Sequence, residues 1–176
     1  MKNLRIITLI LAILFLFSAC GNTNGGSEEP TTSLANIQTT DIEGHSVDAA
    51  IFSDFDLTMV NFWSITCPPC IREMPDLAEL HTAHEGFQVV GVVLNIAETN
   101  MDQLPAVLQI VEQTGAAYPH LAVSESLHEA KTKDITYVPE TIFVNADGHQ
   151  VGESYVGAKS YEDWNAIIEA LLEDVR

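Results

Sequence analysis

The sequence predicts a single α/β domain in which a mixed central sheet is flanked by helices on both faces. Runs of β-branched and aromatic residues alternate along the chain with segments whose apolar residues recur at helical spacing. The run at 87–95 is almost continuously apolar, which is typical of a central parallel strand covered on both faces. A length of 176 residues suits one such domain, and a hydrophobic content of 47% supplies its core.

Residues 1–19 have the features of a secretory signal peptide. Lys2 and Arg5 precede an apolar run over 6–17, and the small residues Ser18 and Ala19 follow it. The run is shorter than the roughly 20 apolar residues that a membrane-spanning helix needs. We therefore expect export followed by cleavage.

The segment that ends this leader, FSAC at 17–20, resembles the lipobox of bacterial lipoproteins. In those proteins the cysteine is lipidated and becomes the first residue after cleavage, so the resemblance implies that Cys20 is a lipid attachment site. Phe17 stands where leucine is usual, and an ordinary signal peptide with an incidental cysteine is the alternative. Residues 20–32, rich in Gly, Asn, Ser and Thr, then predict a flexible linker, with the folded domain over 33–176.

The first half of the folded part begins with a short hairpin. Residues 36–40 and a second short run through Val47 flank a turn at Glu43 and Gly44. A buried strand is predicted at 58–64, where β-branched and aromatic residues dominate. A helix follows from Cys67, because prolines are tolerated in a first helical turn.

The second half continues the alternation of strands and helices. After the strand at 87–95, a helix is expected to begin near Asn100 and to end at Gly115. A short strand at 120–123 and a short helix from Glu125 come next.

The chain then closes with a second hairpin and a last helix. Asp147 and Gly148 lie between two short strand-like runs, which is a strong hairpin signal. Ser160 and Asp163 provide the start of an amphipathic helix, whose apolar positions are 164, 167, 168, 171 and 172.

Cys67 and Cys70 are the residues to which the sequence assigns chemistry. Cysteines at i and i+3 on a first helical turn lie at the Cα separation that a disulfide needs. Cys67 caps the helix and faces its unpaired N–H groups, which lower the pKa of its thiol and make it the attacking sulfur. Cys70 lies within the turn and suits the resolving role.

Three other uses of this cysteine pair are weaker. A purely structural disulfide across so short a loop stabilises little. A zinc site needs two further ligands, and the chain has no second cysteine pair. Covalent haem attachment needs a histidine after Cys70, where Ile71 stands.

Two longer stretches carry a family resemblance. VNFWSITCPPCIREMP at 60–75 and YVPETIFVNADG at 137–148 are similar to the thioredoxin superfamily, and most similar to its TlpA/ResA-like, membrane-anchored disulfide reductases. The predicted lead-in hairpin and the extra helix before Tyr118 match that family's layout. The resemblance implies a thioredoxin-like fold with an N-terminal β-hairpin and an inserted helix.

The resemblance also implies roles for individual residues. Cys67 is then the nucleophile and Cys70 the resolving thiol. Pro139 matches the cis-proline beside the disulfide that helps to hold a substrate strand, although an edge-strand proline is the alternative. Glu73 matches an acidic residue near the active site that raises thiol pKa values or transfers a proton to Cys70. Its alternative is a solvated helix residue that pairs with Arg72 or another neighbour.

This chain departs from cytosolic thioredoxins at two positions beside the cysteines. Asn61 occupies the place of their buried aspartate, and Thr66 replaces the tryptophan before the first cysteine. Without that aspartate the proton route of thioredoxin is closed, which strengthens the case for Glu73. No metal site or cofactor is expected, since His81, His84 and the other histidines favour surface or capping roles.

The overall charge limits the possible partners. A formal net charge of -18 argues against nucleic acid and against docking of a basic patch on anionic lipid. The family resemblance implies protein disulfide substrates, apocytochrome c among them, and a membrane thiol donor of DsbD/CcdA type. The predicted location is the extracytoplasmic side of the cell membrane, through the lipid anchor.

Two other functions stay open. A peroxiredoxin-like peroxidase shares the fold, but Val60 stands where its active-site proline belongs. A non-catalytic metal-binding lipoprotein with a passive cysteine pair is the second alternative.

Overall fold

The computed structural model describes residues 32–176 of the chain. The predicted signal peptide at 1–19 and the predicted lipid attachment site Cys20 lie outside the described residues, as does nearly all of the predicted linker. None of the helices within 32–176 is long and apolar enough to cross a membrane.

The described part is a mixed α/β structure whose elements follow the predicted order. The strands are β1 (Gln38–Thr40), β2 (Ser46–Asp48), β3 (Leu57–Trp63), β4 (Phe87–Ala97), β5 (His120–Val123), β6 (Glu140–Asn145) and β7 (Gln150–Val156). The α-helices are α1 (Pro68–Ala83), α2 (Leu104–Thr114), α3 (Glu125–Ala130) and α4 (Tyr161–Val175). Two 3₁₀ turns lie at Ala49–Phe52 and Thr132–Asp134.

Five strands form the central sheet, in the order β5-β4-β3-β6-β7. Strand β3 lies in the middle, parallel to β4 and antiparallel to β6, and β1 pairs with β2 as a separate hairpin. Every residue of β3 is buried, because helices or the hairpin cover both faces of the sheet. The prediction of a mixed sheet flanked by helices is therefore confirmed.

The alternation of side chains along β3 divides the core into two clusters. Met59 and Trp63 pack with α1, α2 and α4 on one face, while Val60 and Phe62 pack with α3 and the 3₁₀ turn at Ala49–Phe52 on the other. Because successive strand residues point to opposite faces, Asn61 belongs to the face of Met59 and Trp63. This face is the one that α1 covers.

The predicted start of α2 was wrong by one turn. The helix begins at Leu104, and Asn100 lies in the preceding turn, where its Oδ1 accepts the backbone N–H of Asp102. An asparagine that bonds two residues ahead stabilises a turn and so competes with its use as a helix cap. The predicted end at Gly115 is confirmed, with a left-handed φ of 68°.

Candidate active site

Cys67 and Cys70 form a disulfide at the N-terminus of α1, directly after the central strand β3. Their Cα atoms are 5.3 Å apart. Cys67 is the N-cap residue of α1, and Pro68 and Pro69 occupy the first helical turn, where a missing N–H costs nothing. The strand therefore delivers the first cysteine to the positive end of the helix dipole.

The two sulfurs differ in surroundings. Cys67 is 7% exposed, whereas Cys70 is completely buried. The backbone N–H of Cys70 donates to Cys67 Sγ at 3.2 Å. A donor at that position stabilises negative charge on Cys67 once the disulfide is reduced, and Cys67 is the less buried of the two cysteines.

The loop before β6 brings Pro139 beside the disulfide. The Val138–Pro139 peptide bond is cis. The carbonyl oxygen of Val138 lies 3.5 Å from Cys67 Sγ. The backbone N–H of Gly157, just after β7, donates to the carbonyl of Pro139 at 2.8 Å and joins this loop to the sheet edge.

Glu73 is buried one turn after Cys70, with only 3% of its surface exposed. Its carboxylate accepts three hydrogen bonds: from Asn61 Nδ2 at 3.1 Å, from the backbone N–H of Lys159 at 3.3 Å and from Trp164 Nε1 at 3.4 Å. The alternative of a solvated helix residue paired with Arg72 is wrong, because Glu73 faces the sheet and α4. A carboxyl group is thus held inside the protein beside the dithiol.

Burial dominates the electrostatics of Glu73. It raises the pKa of this carboxyl from 4.5 to about 7, against the opposing effect of the hydrogen bonds from Asn61, Trp164 and Lys159. The nearby charge of Asp76 raises the pKa further. Glu73 can therefore hold or release a proton near neutral pH, which is the range in which thiol chemistry proceeds.

Asn61 also belongs to the site, through a contact with Glu73 that the sequence did not predict. Its Nδ2 donates both to Glu73 Oε1 and, at 3.0 Å, to Thr141 Oγ1. Its Oδ1 is buried and has no hydrogen-bond partner among the described residues. The period-two alternation of β3 was the available signal, since it sets Asn61 on the face that α1 covers.

A second buried polar group supports the end of β3. His120 Nε2 donates to the carbonyl of Ala116 at 3.0 Å, and His120 Nδ1 accepts Trp63 Nε1–H at 3.3 Å. Burial lowers the pKa of His120 to about 4, so the ring is neutral at physiological pH. These two bonds fix the tautomer and hold Trp63 four residues before Cys67.

His81 on α1 and His84, the C-cap residue of that helix, have protein partners. His81 Nδ1 accepts the backbone N–H of Val89, and His84 Nε2 lies 2.9 Å from Asn165 Oδ1. Within 32–176, the one group of side chains arranged like metal ligands is Asp41, Glu43 and His45, at the turn of the first hairpin. It contains neither cysteine.

Comparisons with known proteins agree with this geometry. Residues 26–171 match the family model described as Redoxin. The chain is 27% identical over 165 residues to the thiol-disulfide oxidoreductase ResA of Bacillus thuringiensis subsp. konkukian, covering 87% of this chain and 89% of that protein. It is 23% identical over 168 residues to the sporulation thiol-disulfide oxidoreductase A of Bacillus subtilis, covering 93% and 98% of the two chains.

Among solved structures, a thioredoxin-family thiol:disulfide interchange protein from Chlorobium tepidum is similar to the chain. It superposes with a TM-score of 0.66 at 27% identity and covers 81% of this chain and 97% of its own. The fold of this chain is therefore that of a known group of proteins.

Proposed function

The chain belongs to the Redoxin family and is a thiol–disulfide oxidoreductase of the TlpA/ResA-like type, and we propose that it reduces disulfides of secreted or membrane-associated proteins outside the cytoplasm. The observation that carries the proposal is the Cys67–Cys70 disulfide at the start of α1, with Cys67 the less buried cysteine. The direction, reduction of the substrate, rests on the similarity to disulfide reductases.

The proposed reaction begins with the reduced dithiol. The Cys67 thiolate attacks one sulfur of a substrate disulfide, forms a mixed disulfide and releases the other substrate sulfur as a thiolate, which takes up a proton. Cys70 then loses its proton and attacks Cys67 Sγ. The second substrate thiol leaves with a proton, so two electrons and two protons have passed to the substrate.

Glu73 is proposed to act on the second step. It lies one helical turn after Cys70, and its carboxyl has a pKa of about 7. In this proposal the ionised carboxylate accepts the Cys70 proton, directly or through water, and returns it when the dithiol is regenerated. Pro139 and Val138 form the wall beside Cys67 against which the substrate lies.

Regeneration requires a reductant, because the compartment is oxidising. We propose a membrane dithiol protein of DsbD/CcdA type, whose thiolate attacks the Cys67–Cys70 disulfide and leaves itself oxidised. A lipid anchor at Cys20 would keep the domain beside that donor on the extracytoplasmic side of the membrane. The predicted linker at 20–32 would let the domain reach both donor and substrate.

Trapping in the host tests the proposal. A Cys70→Ser variant should accumulate mixed disulfides between Cys67 and secreted proteins, because the second step is blocked. The matched Cys67→Ser variant should trap far less, since its remaining sulfur is buried. An empty trap, with the protein exported and folded, would count against a reductase. Peroxide consumption that survives the Cys70→Ser change would favour the peroxidase alternative.

A further inference from the structure

Lys131 and Glu140 form an ion pair that the reaction above does not use. Lys131 Nζ contacts Glu140 Oε1, and the two residues are only 8% and 6% exposed. The other Lys or Arg ion pairs of the described residues, Lys133–Glu129 and Arg176–Asp56, lie in contact with solvent. Burying two charges carries a large desolvation cost, and an apolar pair would fill the same space without it.

The position of this pair indicates what it does. Lys131 is the C-cap residue of α3, and Glu140 is the first residue of β6, directly after Pro139. The ion pair therefore joins the two ends of the loop 132–139. Glu140 is fixed in turn by its sheet neighbours, Phe62 on β3 and Val156 on β7.

The far part of this loop has few backbone hydrogen bonds of its own. Residues 132–135 are ordered by the 3₁₀ turn, in which Asp134 and Ile135 donate backbone bonds to Lys131 and Thr132. For residues 136–138, no backbone N–H has a hydrogen-bond partner within the described part of the chain. Val138 packs half-buried against the core, so the exposed residues 136 and 137 are held through Val138 and through the anchored ends.

These residues lie where a substrate has to approach. The Val138 carbonyl is 3.5 Å from Cys67 Sγ. Tyr137, the residue before Val138, is 71% exposed and is therefore open to contact by a partner. A polypeptide whose disulfide reaches Cys67 meets Val138 and is large enough to extend to the neighbouring Tyr137, whereas a small disulfide is not.

We infer that Lys131 and Glu140 are positioning residues, and that they hold the loop so that Tyr137 becomes a docking contact for the polypeptide around a substrate disulfide. The inference rests on the proposed function for its substrate class. Aromatic side chains suit this use because they offer a large contact area at little cost in conformational entropy. The pair would thereby favour protein disulfides over small ones.

The test compares two disulfides in the Cys70→Ser background. The rate constant for mixed-disulfide formation at Cys67 is measured with insulin and with oxidised glutathione. Lys131→Met should lower the insulin rate constant about tenfold and change the glutathione rate constant less than about twofold, because docking is disturbed and the sulfur is not. Lys133→Met, the same change in the exposed neighbouring pair, is the control and should alter neither.

Tyr137→Ala keeps the inference testable if Lys131→Met does not fold. Tyr137 is exposed, so its removal leaves the core intact, and the insulin-to-glutathione ratio should again fall about tenfold. Leu108→Ala, at an exposed apolar residue of α2, is its matched control. An unchanged ratio in Tyr137→Ala, or an equal loss for both disulfides in a folded Lys131→Met, would overturn the inference. Either result is independent of the trapping experiment, which tests the proposed function.

Discussion

The side-chain amide of Asn61 on β3 donates a hydrogen bond to Glu73 on α1, at 3.1 Å, inside the protein and one turn from Cys70. An amide, unlike a carboxylate, places no further negative charge beside Glu73 at this position. The same amide contacts Thr141 on β6, so three elements meet at one ionisable group. These contacts hold a buried carboxyl whose pKa is raised to about 7.

The first prediction concerns the pH dependence of stability. The pKa of Glu73 is raised from 4.5 to about 7 in the folded state, so its contribution is full below about pH 4.5 and is lost as pH rises through 7. Glutamine does not ionise, so the Glu73→Gln variant does not lose this stability as pH rises. The stability of Glu73→Gln minus that of the wild type should rise by about 3 kcal/mol between pH 4.5 and 7.5.

Denaturant unfolding of the disulfide-bonded proteins at both pH values measures this difference. The difference between variant and wild type is used because both proteins contain His120, whose effect then cancels. The pKa of His120 is lowered to about 4, so its contribution to stability is lost as pH falls from 6.5, which is opposite to the behaviour of Glu73. Glu79→Gln, on an exposed position of the same helix, should show no such rise. A constant difference for Glu73→Gln would show that Glu73 is not buried as described.

The second prediction concerns the second chemical step. Glu73→Gln should slow resolution of the mixed disulfide by Cys70 about 100-fold, because the group proposed to accept the thiol proton is gone. Attack by Cys67 on the substrate should change much less. Stopped-flow measurement of a preformed mixed disulfide separates the two steps, and equal rates in wild type and variant would eliminate Glu73 from the mechanism.

The third prediction concerns Asn61. Asn61→Asp places a second carboxylate within hydrogen-bond distance of Glu73, and two such groups cannot both ionise easily. The pair should titrate in two steps, with the upper apparent pKa above the value of about 7 that Glu73 has alone. Carbon-detected NMR titration of the carboxyl groups would show this, whereas one unshifted titration would contradict the contact.

The fourth prediction concerns the packing behind Trp63. A Cβ on Gly91 would lie 2.3 Å from His120 Nδ1 and 3.1 Å from Trp63 Nε1. Gly91→Ala should therefore lower the free energy of unfolding by about 2 kcal/mol, since the buried ring has to shift. In a His120→Ala background the same change should cost much less, and a double-mutant cycle that finds no coupling would refute the contact.

Local signals in the sequence were sufficient for the position of the dithiol. The signals are an apolar strand, a short loop and the two prolines after Cys67, which all lie within about fifteen residues of chain. Together they predict the strand–helix junction. The same holds for the hairpin at Asp147 and Gly148 and for the cap at Ser160, because each depends on neighbouring residues. The predicted helix start near Asn100 was wrong because it also depended on a local signal. The side chain of Asn100 can form its local hydrogen bond in a turn as well as at a helix cap.

The contacts of Glu73 could not be predicted from its neighbours in the sequence. Trp164 and Lys159 reach it from the other end of the chain, and Glu73 itself looks like an ordinary polar residue of an amphipathic helix. The buried pair of Lys131 and Glu140 was missed for a similar reason, because its burial is set by strands β3 and β7 on either side of β6. Charged residues become buried partners only when the sheet assembles.

The central claim, that the Cys67–Cys70 pair gives electrons to its substrates, is tested most directly by its reduction potential. Equilibration of the purified protein with glutathione buffers, read by thiol alkylation, yields this value. We predict a potential close to that of thioredoxin, about -270 mV. A potential close to that of DsbA, about -120 mV, would make the protein an oxidant and contradict the account.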